Sequence, residues 1–120
     1  MSEADLKRTC EDYLQLLQNG GKLIFLRLNS GNLVVSNPDG SYRRRIRGCP
    51  SGTADYIIIR SCLGESCILR IVDFIELKSV KGRQSPDQLA FEDLVTKQGC
   101  GYHIVRTLEE LQLIITISQA

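Results

Sequence analysis

Acidic and basic side chains able to act together on one substrate lie near the middle of the chain. In FIELK, Glu76 and Lys78 are two positions apart, so in an extended strand they project to one face while Ile75 and Leu77 point away. DYIIIRS and CILRIVDFIELK read as two strands joined around LGES. A turn centred between Glu65 and Ser66 opposes residues whose numbers sum to 131, which sets Asp55 across from Glu76. Two hard carboxylates held together repel when ionised, and a divalent cation with a preference for oxygen, Mg²⁺ or Mn²⁺, relieves that repulsion. The backbone carbonyl of Leu77 would add a third oxygen ligand, with water and a phosphate oxygen completing the shell. Such an ion acidifies a bound water and neutralises charge growing on a reacting phosphorus, while Lys78 orients the water or stabilises the same charge. A slip of one residue, or a bulge, would disperse the three groups. Spacing alone also fits an ordinary ion pair across one strand face.

The 120 residues, 42% hydrophobic and 24% charged, suit one compact domain over residues 1–120 and exclude a multidomain enzyme. No apolar run approaches the ~20 residues needed to span a bilayer. The opening MSEADLKRTCEDYL lacks an apolar signal core, so a cytoplasmic location is expected. Ser2 caps a helix with Leu6, Cys10, Tyr13, Leu14 and Leu17 at helical spacing, ended by Gly20 and Gly21. KLIFLRL, NLVVS and SYRRRIR read as strands of a small meander, with NPDG as a turn and Asp39 exposed in it. Ser85 as N-cap, Pro86 and Gln88 open a helix that stops at Gly99. YHIV is a short strand. Thr107 and Glu110 form a second capping box before LEELQLIITI, whose β-branched tail leaves helix and strand both open.

The five cysteines, Cys10, Cys49, Cys62, Cys67 and Cys100, show no C-x-x-C pair and read as reduced and mostly buried, with Cys62 and Cys67 able to approach across the hairpin. Fifteen basic and fourteen acidic side chains nearly cancel, which excludes a global field for polyanions and requires any nucleic-acid site to be local. Arg43, Arg44, Arg45 and Arg47 form one basic cluster and Lys78, Lys81 and Arg83 another. Arg43, Arg45 and Arg47 alternate along a strand as a ridge for phosphates, with Arg44 on the other face beside Ile46, and are expected to position the backbone, not to read bases. Tyr42 and Tyr102 are expected to pack on the core or a sheet face, with stacking on an unpaired base as the alternative, and His103 to be structural.

The runs GTADYIII and FIELKSVKGRQSPDQLAFEDLVTKQGCGYHIVRTLEEL resemble the VRR-NUC family of virus-type replication and repair nucleases, in the PD-(D/E)XK superfamily. The resemblance rests on the order of pieces: G-x-x-D, an ELK strand, a G-R-x-S-x-x-Q helix start and a G-x-x-Y strand. It covers roughly residues 52 to 111, and the N-terminal helix and the RLNSG and RRRIRG segments are similar to short phage and bacterial members. It implies an α/β restriction-endonuclease-like core with a mixed central β-sheet flanked by helices. The implied activity is Mg²⁺- or Mn²⁺-dependent endonuclease cleavage of branched DNA, such as Holliday junctions or flaps in repair and recombination, by a homodimer. Residue by residue, it implies Asp55 and Glu76 as metal ligands with the Leu77 carbonyl, Lys78 as the catalytic lysine, and Gln88 beside the site. Glu3 would reach the metal through water, in competition with Glu11. Arg43, Arg44, Arg45, Arg47, Lys81 and Arg83 are the expected DNA contacts. Ala54 stands where the family has proline, which frees φ and loosens the loop without removing the carboxylate. The alternative is a catalytically silent DNA-binding or assembly subunit that keeps the fold.

Overall fold

Local signals start and stop each helix where the sequence places them. The Ser2 hydroxyl accepts from the Asp5 N–H at 3.1 Å and opens α1 (Glu3–Asn19), whose buried face is Leu6, Cys10 and Leu14. Ser85 and Gln88 close a reciprocal capping box at the start of α2 (Pro86–Lys97). LEELQLIITI is a helix, α3 (Leu108–Ile117), because Leu111 and Ile115 recur at helical spacing and both bury on the sheet. Its cap is offset from expectation: the Thr107 hydroxyl accepts from Glu110 N–H, but the Glu110 carboxylate turns to the Arg106 N–H at 2.8 Å. This computed structural model describes residues 1–29, 32–63 and 68–117. The turn at Glu65 and Ser66 and the approach of Cys62 to Cys67 lie outside the described residues.

The strands are β1 (Ile24–Arg27), β2 (Asn32–Ser36), β3 (Tyr42–Arg47), β4 (Tyr56–Leu63), β5 (Ile68–Leu77) and β6 (Gly101–Val105). Four of them form a mixed sheet in the order β1-β4-β5-β6, flanked by helices. β4 and β5 are its central antiparallel pair, and every partner from Tyr56/Ile75 to Leu63/Ile68 sums to 131. β6 runs parallel to β5, as the α2 crossover between them requires.

The expected meander does not form. β1 pairs antiparallel with β4, from Ile24/Ile59 to Arg27/Tyr56, while β2 and β3 make a separate two-stranded ribbon. The apolar β4 needs neighbours on both edges, whereas a strand with four arginines has no place in a half-buried sheet.

The core joins one sheet face, Tyr56, Ile58, Ile75, Leu77 and Val105, to α1 and α3. Each large aliphatic side chain buried there contributes about 1.5–3 kcal/mol. On the other face, Phe91 of α2 meets Phe74 edge-on at 5.2 Å between ring centroids and Tyr102 at 6.2 Å. Tyr102 is thus packed as expected, but Tyr42 is 66% exposed because its ribbon has nothing to pack against. Cys10, Cys49 and Cys100 are free thiols; Cys10 is buried, whereas Cys49 and Cys100 are half-buried on loops, short of the burial expected for them.

A polar cluster is buried on the α3 side. Arg60 pairs with Asp73 at 2.9 Å and donates to the carbonyls of Ile114 and Ile115, capping the C-terminal turn of α3. His103 Nε2 lies 3.0 Å from the second Asp73 oxygen. Burial alone would raise the Asp73 carboxyl, but the His103 hydrogen bond and the Arg60 charge outweigh it and hold the group below the usual carboxylate range. Gly101 makes room for this cluster, since a Cβ there would sit 2.0 Å from Asp73 Oδ1.

Candidate active site

Asp55 closes the loop that precedes β4. Thr53 folds back on the Pro50 carbonyl through its N–H and hydroxyl, and Leu28 N–H donates to the Asp55 carbonyl at 2.8 Å, tying the loop to the end of β1. Gly52 adopts φ +90° against the start of α2, where a Cβ would lie 2.3 Å from the Asp87 carbonyl oxygen. Ser51 Oγ donates to Asp87 Oδ2 at 2.9 Å. Ala54 is fully buried, and these bonds hold the loop that the missing proline was expected to leave loose.

The register that pairs Tyr56 with Ile75 puts Asp55 and Glu76 at the same end of the sheet, on the α2 face. Each acid is pinned by one oxygen. Asp55 Oδ2 accepts from the Leu77 N–H at 2.7 Å, and Glu76 Oε1 accepts from Gln88 Nε2 at 3.0 Å. The other oxygens have no close donor: Glu76 Oε2 is buried without one among the described residues, Asp55 Oδ1 forms a loose ion pair with Lys7 Nζ at 3.8 Å, and the two carboxyls lie close enough for a protonated Glu76 to bond Asp55. Glu76 is 4% exposed. Burial first, and then the charges of Asp55 and Glu3, push its carboxyl up to about 7, against the opposite pull of Lys78.

Gln88 therefore has both roles considered for it, since its Oε1 also accepts from the Ser85 N–H at 2.9 Å in the capping box. Lys78 follows β5 with its N–H on the Val105 carbonyl at 3.1 Å, and its charge acts on Glu76. Of the two competing acids in α1, Glu3 acts on Glu76, whereas Glu11 is engaged by the Tyr56 hydroxyl at 2.6 Å and by Arg27 at 3.6 Å. His103 lies on the opposite face with Asp73, and Asp39 sits exposed in its turn, bound to Ser41.

Two residues at the site escaped the sequence reading. Lys7 reaches Asp55; its signal is the Glu3, Lys7, Glu11 stripe at i, i+4 spacing beside the apolar face of α1. Arg106 Nη1 donates to the carbonyls of Ser79, Val80 and Gly82 at 2.6, 3.3 and 2.8 Å, fixing the loop just after Lys78. Nothing in the local sequence marks Arg106 for that task.

None of the expected basic contacts is ion-paired with Asp55 or Glu76 among the described residues. Lys81 and Arg83 are exposed on the loop between Lys78 and Ser85, and Arg43, Arg44, Arg45 and Arg47 are exposed on the β2–β3 ribbon. The expected ridge is modified there. Arg45 opposes Val34, Arg47 opposes Asn32 and Arg44 opposes Val35, but the register shifts so that Ser36 opposes Tyr42. Arg43 is the extra residue of this bulge, so pairing no longer fixes it on the face of Arg45 and Arg47.

Among the described residues, no group of three or more His, Cys, Asp or Glu side chains is gathered as a ready metal cage. The donor set is two carboxylate oxygens and the neighbouring backbone, which suits a hard cation that keeps much of its water shell. No helix among the described residues is long and apolar enough to cross a membrane. Comparison with protein-family models, curated proteins and solved structures finds no match to this chain.

Proposed function

We propose that this chain is a divalent-metal-dependent DNA endonuclease with a restriction-endonuclease-like core, as its VRR-NUC resemblance implies. One observation carries the reading: two neighbouring carboxylates are each anchored through one oxygen by a donor of the fold, their other oxygens have no such donor, and the charge of Lys78 acts on Glu76. A fold with no use for these acids gains nothing from burying a Glu76 oxygen without a partner, which costs on the order of 1–3 kcal/mol.

Asp55 and Glu76 would hold the ion, with the Leu77 carbonyl, which in an extended residue leaves on the same edge as the N–H that binds Asp55. When bound, Mg²⁺ or Mn²⁺ acidifies water and withdraws charge from phosphate oxygens. Gln88 and the Leu77 N–H keep the carboxylates from rotating as the substrate arrives. Lys78 orients the attacking water or stabilises charge on the phosphate, and Arg106 sets the loop that follows it. Glu3 extends the acidic surface for a water-mediated contact. The substrate in this reading is branched DNA, cut by a homodimer that fixes the distance between two sites.

The test incubates the protein with labelled four-way junction, flap and linear duplex in Mg²⁺, Mn²⁺ or EDTA, beside Lys78→Ala. Cleavage is expected only in metal and only with Lys78, and faster on the branched substrates. Cleavage that persists in EDTA or in the variant removes the mechanism. Binding without cleavage favours the silent DNA-binding subunit.

A further inference from the structure

The β2–β3 ribbon pairs only with itself, and no other helix or strand among the described residues packs on it. Its base is tied by the Cys49 N–H to the Asn29 carbonyl, and its tip is the Asn37–Ser41 turn, closed by a hydrogen bond from Asn37 N–H to the Ser41 carbonyl. The molecule is accordingly elongated, with a radius of gyration of 16.6 Å against roughly 14 Å for a compact domain of this length. A lone two-stranded hairpin is marginally stable in water. This one exposes Val34, Tyr42 and four arginines. None of the four guanidinium groups is in an ion pair among the described residues.

A surface of this charge fits a polyanion, and its shape selects which. Two strands about 4.8 Å apart, with their side chains, match a B-DNA major groove about 12 Å wide and exceed the minor groove of about 6 Å. A second copy of the chain is disfavoured as occupant, because pairing of two arginine strands would set like charges side by side. The bulge at Arg43 adds right-handed twist near the tip, which helps a ribbon follow a groove.

We propose that the β2–β3 ribbon is a duplex-binding arm that lies in the major groove, with Arg45, Arg47 and Val34 facing the DNA and Arg44 on the outer face. Arg45 and Arg47 reach phosphates and base edges, and Val34 offers an apolar contact to thymine methyl groups. The arm rests on the nucleic-acid reading of this chain and not on cleavage. It lengthens the footprint along the duplex that flanks the acids.

The experiment measures anisotropy of a labelled linear duplex across a salt series in EDTA, and repeats it with a duplex whose cytosines carry glucosylated 5-hydroxymethyl groups. These fill the major groove and leave the phosphates unchanged. Wild type is expected to lose at least about tenfold in affinity on the filled duplex, the equivalent of one bidentate base contact. The Arg45→Ala/Arg47→Ala double variant should lower the salt slope by about 2 and become indifferent to filling, while Arg44→Ala keeps the sensitivity and lowers the slope by about 1 or less. All three side chains are exposed, and unchanged thermal melts verify folding. Equal wild-type affinity for the two duplexes overturns the groove placement, and an unchanged slope in the double variant overturns the arm. Mg²⁺ added to parallel samples that also contain a labelled four-way junction separates the two readings: groove-dependent duplex binding with the junction left uncut leaves the arm standing and removes the nuclease, and junction cleavage without groove dependence does the reverse.

Discussion

Glu76→Gln should make the metal-free protein more stable while abolishing its activity. The folded chain holds the Glu76 carboxyl at about 7 against a reference of 4.5, which corresponds to about 3 kcal/mol against the ionised form. Because the folded value is raised, the folded state binds this proton more tightly, so stability is undiminished below the unfolded value and falls as pH climbs from about 4.5 to about 7. Glutamine keeps the oxygen that accepts from Gln88 and places an amide donor where the unpartnered Oε2 now faces Asp55. The assay is thermal and denaturant unfolding of both proteins in EDTA. Near pH 8 the variant should be more stable by about 3 kcal/mol, roughly 10 °C in Tm, and near pH 4 the difference should vanish. Adding Mg²⁺ should stabilise wild type and leave the variant unchanged. A variant that melts no higher than wild type near pH 8, or an advantage that persists at low pH, would refute the picture of a buried charge held in wait for a counter-ion.

Gly52→Ala should cost more than about 2 kcal/mol, since φ +90° and contact with the Asp87 carbonyl both oppose a side chain. Denaturant melts check the cost, and a cleavage rate that survives it would show that this loop does not position Asp55. Asp73→Asn should cost about 3–5 kcal/mol near neutral pH by leaving Arg60 unpaired. Because the Asp73 carboxyl is held low, its contribution is present above the unfolded value and lost as pH falls through the folded one, so the variant's deficit should shrink in acid; a pH-independent deficit would contradict this.

Much of the site was legible because strand geometry is periodic. A turn expected between Glu65 and Ser66 predicts the partner of every residue in β4 and β5, and the sum of 131 holds from Tyr56/Ile75 to Leu63/Ile68, which brings Asp55 level with Glu76 from counting alone. The start of α2 was equally readable, since capping is local. Sheet order was not. That β1 skips β2 and β3 to pair with β4 depends on which strands can be buried together, a comparison between distant segments. Lys7 and Arg106 were missed for a related reason: their partners are 48 residues away at Asp55 and at least 24 away at Gly82, and only the folded chain brings them together. The bulge at Arg43 was invisible because alternation assumes an unbroken ladder.

The opening turn of α2 touches both acid-bearing segments, through Gly52 and Ser51 against Asp87 and through Gln88 on Glu76. It therefore works as a spacer block between two negative charges, clamped to each by a different residue. Lengthening the distal hairpin would leave that gap untouched, whereas inserting one residue between Ser85 and Gln88 would swing the clamp off Glu76 even if every acid stayed in place.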